Sequence, residues 1–203
     1  MQGAYRSNMG IVGLALCVSA YGDRGVALAA LPLAVWTVYY NVLAVVLLNL
    51  TLGDDRSLRS MSLGMATNPI IVGILFGALV GVSGLSLPQG FVAVGDVFAA
   101  VFIPLALFCI GGALNLAALR SSAVETLEAS VWKLVAGPLL CTCIALAMGV
   151  RGAELGVLFL LLGGPAASAS FVMVVAAGGN GALAANVVVL TTLMSTLSVT
   201  AGW

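Results

Sequence analysis

Two short runs set small, polar and helix-breaking residues inside otherwise apolar sequence: Arg6-Ser7-Asn8-Met9-Gly10 and Gly163-Gly164-Pro165-Ala166-Ala167-Ser168. A helix interrupted in the middle of a membrane leaves backbone N–H and C=O groups without partners, and each such group is costly in hydrocarbon. They must therefore meet a cavity, an ion, a neighbouring helix or a ligand. Asn8 is a favoured N-cap for a half-helix beginning near Met9, and Gly164-Pro165 reads as a cap followed by proline at the first helical position. Both half-helices would point positive dipole ends at the midplane, where Arg6 adds full charge and Ser168 and Ser170 add hydroxyls. A small anion such as a carboxylate is the natural complement. Arg6, Asn8, Gly10, Gly164, Pro165, Ser168 and Ser170 are thus the candidate substrate-binding residues.

Plainer readings of the same residues stand beside this one. Pro165 alone is compatible with a simple kink, as is Pro104. Arg6 can snorkel to the interface rather than serve the break, and Ser168 and Ser170 can bond a neighbouring helix. Asp96 falls near the end of a segment, where solvation is its expected fate. Asn41, Asn115 and Asn186 are intramembrane amides whose ordinary role is interhelical hydrogen bonding.

The elements that carry these residues follow from composition. Of the 203 residues 62% are hydrophobic and 7% charged, and the mean hydropathy is +1.21. That is the composition of an all-α membrane protein rather than of a soluble domain. Seven basic residues balance seven acidic ones without clustering, which sets nucleic acid aside as a partner. Cys17, Cys109, Cys141 and Cys143 lie in apolar runs without metal-ligand spacing, and with no histidine in the chain zinc chemistry and Ser-His catalysis have no support. Gly81-Val82-Ser83-Gly84 resembles an intramembrane serine-protease pattern but lacks a base, so the expectation is a protein that is not an enzyme and needs no cofactor.

Apolar runs predict seven membrane segments: 7–22, 24–50, 64–84, 91–117, 130–150, 153–177 and 181–203. The first is short for a hydrocarbon core of roughly 30 Å, and the chain begins inside it, which suggests a truncated N-terminus. Arg56, Arg59, Arg120 and Lys133 fall in the connections 51–63 and 118–133, which the positive-inside rule places in the cytoplasm, with the C-terminus outside. Trp132 and Trp203 fit interfacial anchors. Gly73, Gly77 and Gly81 recur every four residues on one face of the third segment, a helix-packing stripe within the bundle or between protomers.

Segments one and six are five crossings apart and so run in opposite directions. Sliding the chain by 157 residues sets Asn8 against Pro165 and Gly22 against Gly179, each break followed by a half-helix, a glycine turn and a long helix. An inverted repeat of five helices explains the pattern. Residues 64–203 then form one complete repeat, 1–50 are the last two helices of the other, and 51–63 join them. Three helices and half of a fourth are expected to precede Met1.

The run from Gln2-Gly3-Ala4-Tyr5-Arg6-Ser7-Asn8-Met9-Gly10 to Leu14, ending in Tyr21-Gly22, resembles the fourth helix of the auxin efflux carrier family. That family includes bacterial malonate and malate permease-like proteins and, more distantly, the plant PIN proteins. Tyr40-Asn41-Val42, Asn68-Pro69-Ile70-Ile71, Pro104-Leu105-Ala106-Leu107 with Ile110-Gly111, Lys133-Leu134 with Pro138, and Pro165-Ala166 follow in the family's order. The resemblance implies a ten-helix carrier of two inverted repeats. Broken helices cross at Asn8 and Pro165 around a carboxylate site, and the carrier works by alternating access, often as a homodimer. The function expected is secondary transport of small organic anions, dicarboxylates or auxin-like acids, through a bacterial inner membrane, with H+ or Na+ as candidate coupling ions. The alternative is a partner-dependent or inactive membrane subunit lacking the first three helices.

Overall fold

A computed structural model describes residues 2–52, 66, 69–113 and 122–202. Arg56, Arg59, Asn68, Asn115, Arg120 and Trp203 lie outside the described residues, as do most of the expected cytoplasmic connection 51–63 and the start of the other, 118–121. Every regular element among the described residues is helical: α1 (Gln2–Tyr5), α2 (Met9–Leu52), α3 (Pro69–Ser83), α4 (Gln89–Ala113), α5 (Ala123–Ala147), α6 (Gly152–Gly163), α7 (Ser168–Ala176) and α8 (Gly181–Gly202). This is an all-α membrane protein, with α2, α5 and most of α8 long and apolar enough to cross a bilayer.

The chain forms two units, residues 1–37 with 113–203, and residues 38–112. In the second, Leu75, Phe76, Leu79, Phe91, Phe98 and Phe108 are exposed, as side chains solvated by lipid are. A Cβ built at Gly73, Gly77 or Gly81 meets nothing within 4 Å, so this stripe makes no close contact inside the described chain. In the first unit, Cys17, Val157, Leu160, Leu161, Met173, Val187 and Val188 form the buried core.

The 44 residues of α2 would extend about 66 Å if straight, some twice the hydrocarbon thickness. They do not run straight, because Gly22 takes φ 58° and ψ −141°, a backbone region open to glycine and strained for other residues. Just beyond it Gly25 packs on the Cys17 carbonyl and the Tyr21 side chain, a contact no Cβ would fit. The expected boundary between segments one and two therefore falls at Gly22. The matching left-handed glycine after α7 is Gly178, with φ 73°, one residue before the Gly179 of the sequence overlay.

The expected connection 118–133 requires correction, since α5 already begins at Ala123. Its charged start resembles a loop, yet Glu125 and Glu128 lie on an exposed face while Thr126 and Ser130, four apart, are buried on the other. Glu125 in the first turn also suits the helix dipole. Lys133 is accordingly no loop charge. It sits inside the helix at 2 % exposure, so it leaves the tally that oriented the chain.

Candidate functional site

Segments one and six are both broken where the sequence indicated. Between α1 and α2 the chain is non-helical over residues 6–8, and between α6 and α7 over 164–167. The two gaps cross as an antiparallel pair, Ser7 opposite Ala166. The Asn8 N–H donates to the Pro165 carbonyl at 2.8 Å, and the Ala167 N–H donates to the Arg6 carbonyl at 3.0 Å. Each gap thereby satisfies backbone groups of the other that lipid could not.

Further bonds lock the crossing. Ser7 Oγ donates to the Leu161 carbonyl at 2.7 Å and lies 3.4 Å from those of Leu162 and Gly164, the end of α6 where helix carbonyls lack amide partners. Lys133 Nζ donates to the Leu162 carbonyl at 2.7 Å. The Ala166 N–H donates to Thr191 Oγ1 at 3.0 Å, and that hydroxyl donates back to the Val187 carbonyl at 2.7 Å within α8. The start of α2 runs beside α6 at glycine distance: a Cβ on Gly13 would lie 3.1 Å from Leu161 Cα, and one turn on Cys17 Sγ reaches the Val157 carbonyl at 3.7 Å.

Both caps differ from the sequence expectation. Asn8 does precede the helix, but its side chain makes no capping bond; its carbonyl accepts from Val12 and Gly13 at 3.1 and 3.0 Å, closing the π-helical turn Met9–Gly13. Gly164-Pro165 does not open the second half-helix. Pro165 stays in the extended gap because its carbonyl is engaged by Asn8, and α7 begins at Ser168 after Ala167.

The crossing brings Asn8, Gly164 and Pro165 together. Gly164 is buried, where a Cβ would lie 3.4 Å from Ser7 Oγ and 3.8 Å from the Asn8 carbonyl oxygen, whereas Gly10 is exposed with open space around it. Arg6 is buried at 6 % exposure with Nη1 3.0 Å from Met173 Sδ on α7, so it does not snorkel outward. Ser168 opens α7 half-buried, and Ser170 is buried with Oγ lacking a hydrogen-bond partner among the described residues. Asn186 is buried and neither amide atom has a hydrogen-bond partner among the described residues, where an interhelical bond was expected of it.

Two helix starts, Met9 and Ser168, therefore issue from one crossing. By helix geometry the first amides of each have no acceptor in their own helix, and the half-buried Asn8 and Ser168 side chains stand at these starts. Such an arrangement favours negative charge. Sequence reasoning missed Ser7, Gly13, Lys133 and Thr191 as structural members of the crossing. A lone lysine and a threonine within apolar helices were the available signals for two of them.

Residues 55–202 match the model of a family described as membrane transport protein. No curated protein and no solved structure matches the chain.

Proposed function

The chain belongs to the membrane transport protein family, the auxin efflux carriers, and from that premise we propose that it carries small organic anions, binding their carboxylate at the crossing of the two broken segments. As a multi-pass membrane transporter it works in a lipid bilayer on a transported substrate. The observation that carries the finer reading is the paired crossing itself, with the Asn8 N–H on the Pro165 carbonyl and the Ala167 N–H on the Arg6 carbonyl. It sets the starts of α2 and α7 at the two ends of one short antiparallel pair, and a carboxylate at either start meets a positive dipole end, with the Asn8 amide at the first and the Ser168 hydroxyl at the second.

In this reading the buried Arg6 supplies positive potential beside the site without itself being a contact, and Ser170 holds a hydroxyl in reserve for the ligand or a bridging water. Alternating access moves the crossing against the remaining helices, in a carrier of two inverted five-helix repeats. A homodimer and an inner-membrane location belong to the same proposal, and the open face of Gly73, Gly77 and Gly81 suits contact between protomers.

The test is binding of radiolabelled malonate and malate to the detergent-purified protein and to its Asn8→Ala variant. Loss of one hydrogen bond to a charged group weakens binding by about 1–3 kcal/mol, or roughly 5- to 150-fold in Kd. Unchanged dicarboxylate affinity in the variant removes Asn8 from the site.

A further inference from the structure

At the crossing, the buried cation Lys133 is turned toward a helix end. Lys133 is 2 % exposed and lies in the π-helical turn Trp132–Ala136, a local widening of the kind often found at functional positions. Its Nζ donates to the Leu162 carbonyl, the acceptor it finds among the described residues. The described carboxylates, Asp23, Asp96, Glu125, Glu128 and Glu154, are all exposed, so none of these accompanies the buried lysine. What faces it is the carbonyl end of α6, where the negative end of the helix dipole adds to carbonyls released by the break at Gly164.

Carbonyls at the end of an interrupted membrane helix are hard oxygen ligands, and in a carrier they are a ready seat for a small monovalent cation. Here protein donors already occupy that seat: Ser7 Oγ takes the Leu161 carbonyl and Lys133 Nζ takes that of Leu162, each at 2.7 Å. A lysine ammonium is a compact point charge on a flexible stem, the side chain nearest in size and charge to an alkali ion. We propose that Lys133 is a tethered counter-cation that fills the seat at the end of α6, so that the protein needs no sodium ion there and its removal would create a sodium site.

This goes beyond the carboxylate reading, and rests on it only for the consequence that uptake is independent of sodium. The site itself is tested without transport. The full chain is purified in detergent, and its thermal unfolding is followed by intrinsic fluorescence in sodium chloride and in choline chloride of equal ionic strength. Wild type and Lys133→Arg are expected to melt alike in the two salts. Lys133→Gln, which removes the charge and adds an oxygen ligand, is expected to melt about 3–5 °C higher in sodium once sodium exceeds its Kd tenfold.

A sodium-stabilised wild type overturns the proposal. So does a Lys133→Gln protein of native elution volume that melts identically in both salts, since a purely structural tie would lower stability without making it cation-selective. If Lys133→Gln is lost in both salts, Lys133→Met, which keeps the apolar stem, takes its place with the same two outcomes. Carboxylate binding is read separately through Asn8, so failure of either reading leaves the other result intact.

Discussion

Replacing Thr191 with valine tests whether the crossing is held in place by a side chain of α8. Thr191 is 0 % exposed and its hydroxyl has two roles: it accepts the Ala166 N–H at 3.0 Å and donates to the Val187 carbonyl at 2.7 Å. The second costs little to lose, because a helix carbonyl keeps its backbone partner. The first cannot be replaced, because Ala166 is 1 % exposed and lies in the gap between α6 and α7. Valine would fill nearly the same volume and leave that N–H without an acceptor, at a cost of about 1–3 kcal/mol. For a chain of 203 residues this corresponds to a fall in Tm of roughly 2–12 °C. The neighbouring residue supplies the control, since Thr192 Oγ1 donates to the Val188 carbonyl at 2.7 Å and accepts no amide among the described residues, on an exposed position. Thr192→Val is expected to change Tm by no more than about 2 °C. Both variants are melted in one detergent, with size exclusion to verify folding. Equal melting temperatures for the two would mean that Thr191 does not anchor the break, and the reasoning fails.

Two further substitutions probe the backbone geometry around the site. Gly13→Ala should lose about 1–3 kcal/mol, because its Cβ would press on Leu161 Cα at 3.1 Å, whereas Gly77→Ala, facing open space, should hold or gain stability through helix propensity; equal effects would refute the close approach of α2 and α6. Gly22→Ala should cost about 1–3 kcal/mol from its φ of 58°, read as a lower melting temperature, and a wild-type melt would show that the bend is not held at that residue.

The breaks were legible in the sequence because they interrupt uniformly apolar runs with residues that helices reject, and both gaps fall inside the runs singled out. Gly22 was legible for the same reason. What the sequence left open was which partner each freed backbone group would find. Asn8 and Gly164-Pro165 carry strong local capping preferences, but tertiary pairing overrode them: once the Pro165 carbonyl accepts from Asn8, the next helix cannot begin before Ser168. Lys133 misled for a related reason, since a charge close to Glu125 and Glu128 reads as an interface. Its burial depends on a carbonyl 29 residues away that sequence spacing does not reveal. Thr191 gave only an unspecific sign, as threonine in an apolar helix commonly bonds its own backbone, and here it does that as well.

The crossing also sets an order of events in the making of the protein. Ser7 finds its acceptors 154 to 157 residues further along the chain, and the Asn8 N–H waits equally long for Pro165. At typical synthesis rates that interval is on the order of ten to thirty seconds. Throughout it the first gap has no strand to pair with, while lipid offers its backbone nothing. The nascent segment must therefore be sheltered, by water at the insertion machinery or by another helix, until the second gap emerges. Premature release of the chain into the bilayer before residue 167 would expose a half-built crossing, and quality control could recognise that state by its unpaired peptide groups rather than by any missing hydrophobic surface.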